Sequence, residues 1–145
     1  MTLDGTGRAR LTTNALAVSS TSSSAIYAGN LSYQPSASAN LTQTVNKATS
    51  RTVVVSSGTP ATRGTTGVFT VTVTARAPGA GTPTGTVQLK IDGANVGSPI
   101  ALNPSGQAAY ATSTLSVGSH SVSSVYIGDG NFTGSTSGTI TQRIR

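Results

Sequence analysis

No cysteine, tryptophan or glutamate occurs in this sequence, and charged residues make up only 8% of it, against roughly a quarter in an average soluble domain. Without thiols there is no disulfide and no thiolate metal site. The acids are three aspartates, Asp4, Asp92 and Asp129, and the one histidine is His120. Paired-carboxylate catalysis and histidine-rich metal sites therefore have little to work with. No catalytic residue, metal ligand or cofactor site is expected. No apolar run approaches the ~20 residues that span a bilayer, so membrane insertion is not expected. Met1-Thr2-Leu3-Asp4-Gly5 does not read as a secretion signal; such a signal is expected upstream of this segment.

Acids are scarcer than bases, which gives a net charge of +6. The nine basic residues are spread from Arg8 to Arg145. A nucleic-acid reader gathers its bases on one face and interleaves stacking aromatics. Neither pattern is present, so nucleic acid is not an expected partner.

Ser, Thr, Gly, Ala and Val fill the space left by charge and aromatics. Thr and Val are stiff at χ1 and suit a pleated surface. Gly, Asn and Pro supply turns. A second level of order appears when the chain is slid against itself. At an offset of 99 positions, Leu3 to Val45 lies on Leu102 to Ile144 without a gap, and 15 of the 43 pairs are identical. Leu16 falls on Leu115, Tyr27 on Tyr126 and Gln43 on Gln142. A bias toward Ser and Thr would not place those residues in register. The period is that of a domain rather than a solenoid turn.

The spacing predicts a complete unit over residues 46–145, preceded in 1–45 by the C-terminal half of another. In the complete unit, Arg51–Ser57 reads as a strand. Gly67–Arg76 alternates with Phe69, Val71, Val73 and Ala75 on one face. Thr86–Asp92 places Val87, Leu89 and Ile91 inward, and Gln88 and Lys90 outward. Asp92-Gly93 marks a tight turn. Val96 and Ile100–Leu102 read as two short strands. Gly106–Thr114, Ser119–Ile127 and Ser135–Ile144 complete the set. About seven short strands with regular turns predict an all-β, antiparallel, immunoglobulin-like β-sandwich. Its expected core is Phe69, Val71, Val73, Val87, Leu89, Ile91, Leu115, Val122 and Tyr126.

Three spaced motifs carry a resemblance. Pro83, Gly85 and Val87 introduce a strand. Leu115, Gly118 and His120 form a turn motif. Tyr126, Gly128, Asp129 and Phe132 form a loop motif. Together they resemble the bacterial Ig-like repeats of group 3. The first copy departs from the pattern, with Thr21 in place of His120, Ser23 in place of Val122 and Asn30 in place of Asp129. The resemblance implies a role in stalks or adhesive arms of large bacterial surface proteins, or in phage tail and capsid decorations.

Each chemically capable residue has a structural reading that outweighs a catalytic one. His120 shares a face with Val122, Ser124 and Tyr126 and is expected to bond a loop carbonyl. Asp129 suits an Asx-type turn better than a calcium cage, which needs several oxygen ligands. Lys90 points outward and is a poor candidate for an isopeptide crosslink. Asn30, Asn40 and Asn131 begin glycosylation sequons, which matter only where the host glycosylates. The sequence thus predicts a non-catalytic, extracellular or cell-surface structural module, as stalk, spacer or fibre subunit. An adhesin or phage-decoration module that recognises glycan or a host surface through its loops is the alternative. The expected partners are neighbouring repeats or identical subunits. Residues 3–45 lack everything equivalent to Arg51–Ile100. They are expected to be ordered only through contacts beyond their own segment. Those contacts come either from upstream residues or from strands supplied by another subunit, and the sequence reading leans to the second.

Overall fold

The computed structural model describes residues 1–145, which form strands and turns without any helix and fall into two compact units, Met1–Asn46 and Lys47–Arg145. The second unit is a two-sheet sandwich. One sheet joins β5 (Ser50–Ser56), β6 (Gly67–Ala75) and β9 (Gln107–Thr112), in that order. The other joins β8 (Ala94–Ala101), β7 (Thr86–Ile91) and β10 (Gly118–Tyr126). The far side of β10 carries both β11 (Ser135–Thr136) and β12 (Ile140–Ile144). Every strand pair is antiparallel. Since β11 and β12 are successive stretches along β10, the sandwich has seven strand courses, and the architecture is an immunoglobulin-like all-β sandwich.

Alternation explains which side chains meet between the sheets. Val54, Phe69, Val71, Val73 and Ala108 from one sheet bury against Val87, Leu89, Ile91, Val122 and Tyr126 from the other, with Phe132 in the same cluster. The core is made of small side chains around three large rings, Phe69, Tyr126 and Phe132, and each buried Val or Leu contributes roughly 1.5–3 kcal/mol. At the turn after β7, Asp92 (φ 52°) and Gly93 (φ 81°) both take left-handed backbone. That is the demand of the tightest hairpin turn, and the reason Asp-Gly stands there.

The structure corrects the sequence reading in four places. Val96 and Ile100–Leu102 are not separate strands: Ala94–Ala101 is one strand, which loops out between Val87↔Ile100 and Leu89↔Val96. Gln88 is on the outer face but buried, because its amide donates to the carbonyls of Leu89 and Val96 and fills that irregularity. Ser135–Ile144 is broken, as Ser137 leaves the ladder to accept the Ser124 N–H on its hydroxyl. Leu115 is half-buried, packed on the rim of the core.

A polar seam, not apolar packing, ties β5 to the course of β11 and β12. Ser50 Oγ and Thr52 Oγ1 each lie 2.7 Å from Ser135 Oγ. Ser56 donates to Gln142 Oε1, and Gln142 Nε2 donates to the Gly58 carbonyl at 3.0 Å. Gln142 is only 1% exposed, so its amide depends on these partners.

The first unit holds two hairpin segments. β1 (Ser19–Ser23) pairs with β4 (Leu41–Val45), and β2 (Ile26–Tyr27) pairs with β3 (Ser36–Ala37). Its large apolar residues are wet: Ile26 is 81% exposed, Tyr33 70% and Leu41 68%.

Face assignment in β6 predicts an asymmetric mutational response. Val71→Ala should lower unfolding stability by about 1–3 kcal/mol in a denaturant titration, while Thr72→Ala, on the opposite face, should cost less. A larger loss at Thr72 would mean that the strand is inverted.

Candidate functional site

Two of the three motifs singled out from sequence, the turn motif and the loop motif, lie toward opposite ends of β10. At its C-terminal end, Tyr126, Gly128, Asp129 and Phe132 come together in one loop. Asp129 Oδ1 accepts the Asn131 and Phe132 N–H groups, both at 2.7 Å. Asp129 Oδ2 accepts the Thr84 N–H at 2.8 Å and the Thr84 hydroxyl at 2.7 Å. Burial pushes the Asp129 carboxyl up, but the donors of Thr84, Asn131 and Phe132 outweigh it and hold the group well below the ordinary carboxylate range. The Lys47 ammonium donates to the Asp129 carbonyl. Both carboxylate oxygens are thus committed to loop donors, and the residue pins the 83–84 segment to the 128–132 loop. Gly128 (φ 94°) turns where a Cβ would approach the Phe132 carbonyl to 3.0 Å. The Tyr126 ring is buried, and its hydroxyl makes no well-formed hydrogen bond. Burial, and then the Asp129 charge, push the phenol up to about 12.

At the other end, Leu115, Gly118 and His120 shape the turn into β10. His120 Nδ1 lies 2.7 Å from Asp92 Oδ2. Its Nε2 lies 2.9 Å from the Ser116 carbonyl and 3.4 Å from the Ser116 hydroxyl. The trio Ser116, His120 and Asp92 has the residue types of a hydrolase triad, and its geometry decides against that chemistry. A general base needs a free lone pair toward the serine. Here Nε2 faces a carbonyl oxygen more closely than the hydroxyl, and Nδ1 faces a carboxylate, so both contacts favour the protonated ring. The ring is a clamp between the turn at Asp92 and the turn at Ser116. Its pKa is raised, first by the Asp92 hydrogen bond and then by the Ser116 carbonyl. Asp92 is lowered, first by the His120 hydrogen bond and then by the Ser121 N–H, 2.8 Å from Oδ1. The sequence reading expected the loop carbonyl but missed Asp92. The Asp92-Gly93 turn signal had already accounted for that residue, and nothing local links positions 92 and 120.

No three His, Cys, Asp or Glu side chains gather at a point where a metal ion could be held. The remaining sequence candidates stay apart from any site. Lys90 sits opposite Asn95 and Ser123 in the ladder, and Asn131 is on the exposed loop.

Sandwich topology and loop geometry define an Ig-like module, a class that is generally non-catalytic. The model of the bacterial Ig-like domain family, group 3, matches residues 54–145, and the chain belongs to that family. A solved structure of Clostridium thermocellum CbhA fibronectin(III)-like modules is similar at 17% identity with a TM-score of 0.43. The similarity covers 89% of this chain and 63% of that one, so it spans less than two thirds of that structure's length. No curated protein matches the chain.

The clamp predicts a signed pH dependence. A raised His120 stabilises fully below its ordinary value of 6.5, and that contribution is lost as pH rises through the raised folded value. A lowered Asp92 stabilises above its ordinary 3.8, and loses that contribution as pH falls through the lowered folded value. The pair is therefore at full strength between those ordinary values. The thermal midpoint should fall as pH is raised from about 6 to 9, and Asp92→Asn should flatten that fall. An unchanged slope in Asp92→Asn would remove the clamp.

Proposed function

We propose that the chain is a non-catalytic structural segment of an extracellular tandem-repeat protein, in which each sandwich acts as a rigid spacer. One observation carries this reading. In the second unit β5 and β12 run parallel, at opposite sides of the polar seam. Ala48 bridges Phe132 and, further along, Ala61 bridges Ile144, both in parallel sense. Between those bridges the rungs keep the same order, with Ser50 and Thr52 on Ser135 and Ser56 on Gln142. The chain therefore enters the sandwich at one end and leaves at the other. The seven residues of β5 alone separate the two points by about 20 Å. A unit built this way extends an array when it is repeated, because the C-terminus of one copy emerges where the next can begin. The period of 99 residues between copies supports an array of such units.

The surface supports the same reading. The side chains with chemical capacity, His120, Asp92 and Asp129, are spent on turns and loops. In the second unit the large rings are turned inward: Phe69, Tyr126 and Phe132 are all buried. Family membership supports an extracellular setting, since bacterial Ig-like domains typically occur on extracellular proteins.

Chains carrying two, three and four copies of Lys47–Arg145 in tandem test the proposal. Small-angle X-ray scattering should give a maximum dimension that grows linearly, by roughly 30–40 Å per copy given strands of about nine residues. Growth close to the cube root of mass would mean that the copies fold back on one another, and would end the spacer reading.

A further inference from the structure

In the second unit, β5 and the course of β11 and β12 close one side of the sandwich without a continuous ladder. Main-chain bonds cross only at the ends. Ala48 bonds Asn131 and Thr133, and further along Ala61 bonds Arg143 and Arg145. Just outside β5, Thr49 bonds Arg76 and Ser57 bonds Val68, both on the β6 side. Odd-numbered residues of β5 therefore bond β6, and the N–H and C=O groups of Thr52 and Val54 point the other way. The hydroxyls of Ser50 and Thr52 reach Ser135 across the gap. Beyond that point the facing course breaks. Ser137 has left the ladder to accept the Ser124 N–H, and Gly138 and Thr139 belong to no strand. A groove of about 470 Å³ lies along this break, between Val54 and Ile140. A Cβ added at Gly138 would meet no atom within 4 Å.

Hydroxyls and two guanidinium groups line the groove. Thr136 and Thr139 stand on one wall, and Arg51 and Arg76 on the other. Arg51 faces Thr74 in the β5–β6 ladder, and Arg76 lies one step further along, beside Thr49. The two arginines are thus diagonal neighbours on the outer face, roughly 7–8 Å apart at their bases. Both are exposed. Neither has an ionic partner, since the one ion pair in the chain is His120 with Asp92. The other acid of this unit, Asp129, is held by Thr84 and its own loop. The volume falls within the roughly 300–1,000 Å³ usual for small-ligand sites.

We propose that this groove is a binding site for one or two residues of an acidic glycan, a sugar chain carrying carboxylate or sulfate groups. The guanidinium pair takes the acidic group, which the planar N–H forks of arginine suit. Thr136, Thr139 and the free main-chain edge at Val54 take the ring hydroxyls. No aromatic ring lines the groove, so recognition is by charge and hydrogen bonding rather than stacking. An acidic peptide is the competing occupant, entering as an added strand. Such a strand needs a run of unpaired edge. The open edge here is too short, because Thr52 is tied to Ser135 and Ser56 to Gln142 on either side of Val54. The site does not depend on the spacer reading. Its recurrence once per unit, and the avidity that follows from it, rest on the array.

Two-dimensional NMR of the 145-residue chain, titrated with a galacturonate tetrasaccharide, tests the site. A galactose tetrasaccharide and tetraglutamate are titrated beside it. The uronate should shift the amides of Val54, Gly138 and Thr139 above all others, and its affinity should fall as salt is raised from about 20 to 200 mM. Arg51→Gln combined with Arg76→Gln should weaken binding by about ten-fold or more. Arg63→Gln combined with Arg143→Gln removes the same charge outside the groove, and should leave binding within about two-fold. Equal losses in the two double variants would mean diffuse attraction to a basic chain, and overturn the proposal. An absence of shifts at the groove amides overturns it too. So does equal binding of the neutral tetrasaccharide, or equal binding of tetraglutamate, which would name an acidic peptide instead.

Discussion

Pairing of β10 with β7 is the interaction on which the structure depends. It places Val122, Ser124 and Tyr126 over the inner face of the other sheet and closes the free edge of the hairpin that β10 makes with β11 and β12. The chain contains its own control. The same hairpin, with the same ladder register and the same turn hydrogen bonds, occurs in the first unit without that neighbour, and there its apolar side chains are exposed. Turn chemistry and hairpin pairing are local and survive alone. Dryness of the core is non-local and needs the second sheet. Arg8–Thr13 makes the same point, since it corresponds to β9 but forms no strand where no counterpart of β6 is present.

The core is made largely of small residues, and a polar seam joins the two sheets along one side of it. Hydroxyl pairs between Ser50, Thr52 and Ser135, and the buried amide of Gln142, fasten β5 to the β11–β12 course where larger apolar residues would otherwise be required. Each buried hydrogen bond contributes modestly when made and costs about 1–3 kcal/mol when broken on one side. The seam therefore fixes which strands lie together more than it adds to stability. Its consequence is geometric, because β5 lies parallel to β12 and the two chain ends of the unit are set apart. The His120–Asp92 and Asp129–Thr84 clamps act in the same sense at the two ends, tying turns that are distant in sequence.

Much of this was legible in the chain. Alternation identified β6 and β7 and their buried faces, the Asp92-Gly93 pair located the tight turn, and the spaced motifs pointed to the family. The features that were not legible share one cause. Gln88, Ser137 and Gln142 are polar residues buried through hydrogen bonds to other strands and turns, and a sequence rich in Ser and Thr gives no sign of which polar side chain will be buried. Asp92 as partner of His120 is hidden for the same reason, since the contact spans 28 positions. Val54 and Phe132 are core residues that the strand pattern alone did not select, Val54 because it lies in a run of three valines and Phe132 because it reaches the core from a loop.

Amide hydrogen exchange on the 145-residue chain at low concentration tests the central claim directly, because it compares two near-identical hairpins in one molecule. The account predicts that amides of Val122–Tyr126 exchange only through global unfolding, while those of Ser23–Tyr27 exchange within about an order of magnitude of an unstructured chain. Equal protection at the two sets of positions would show that the hairpin is stable without the β7 pairing, and would contradict the account.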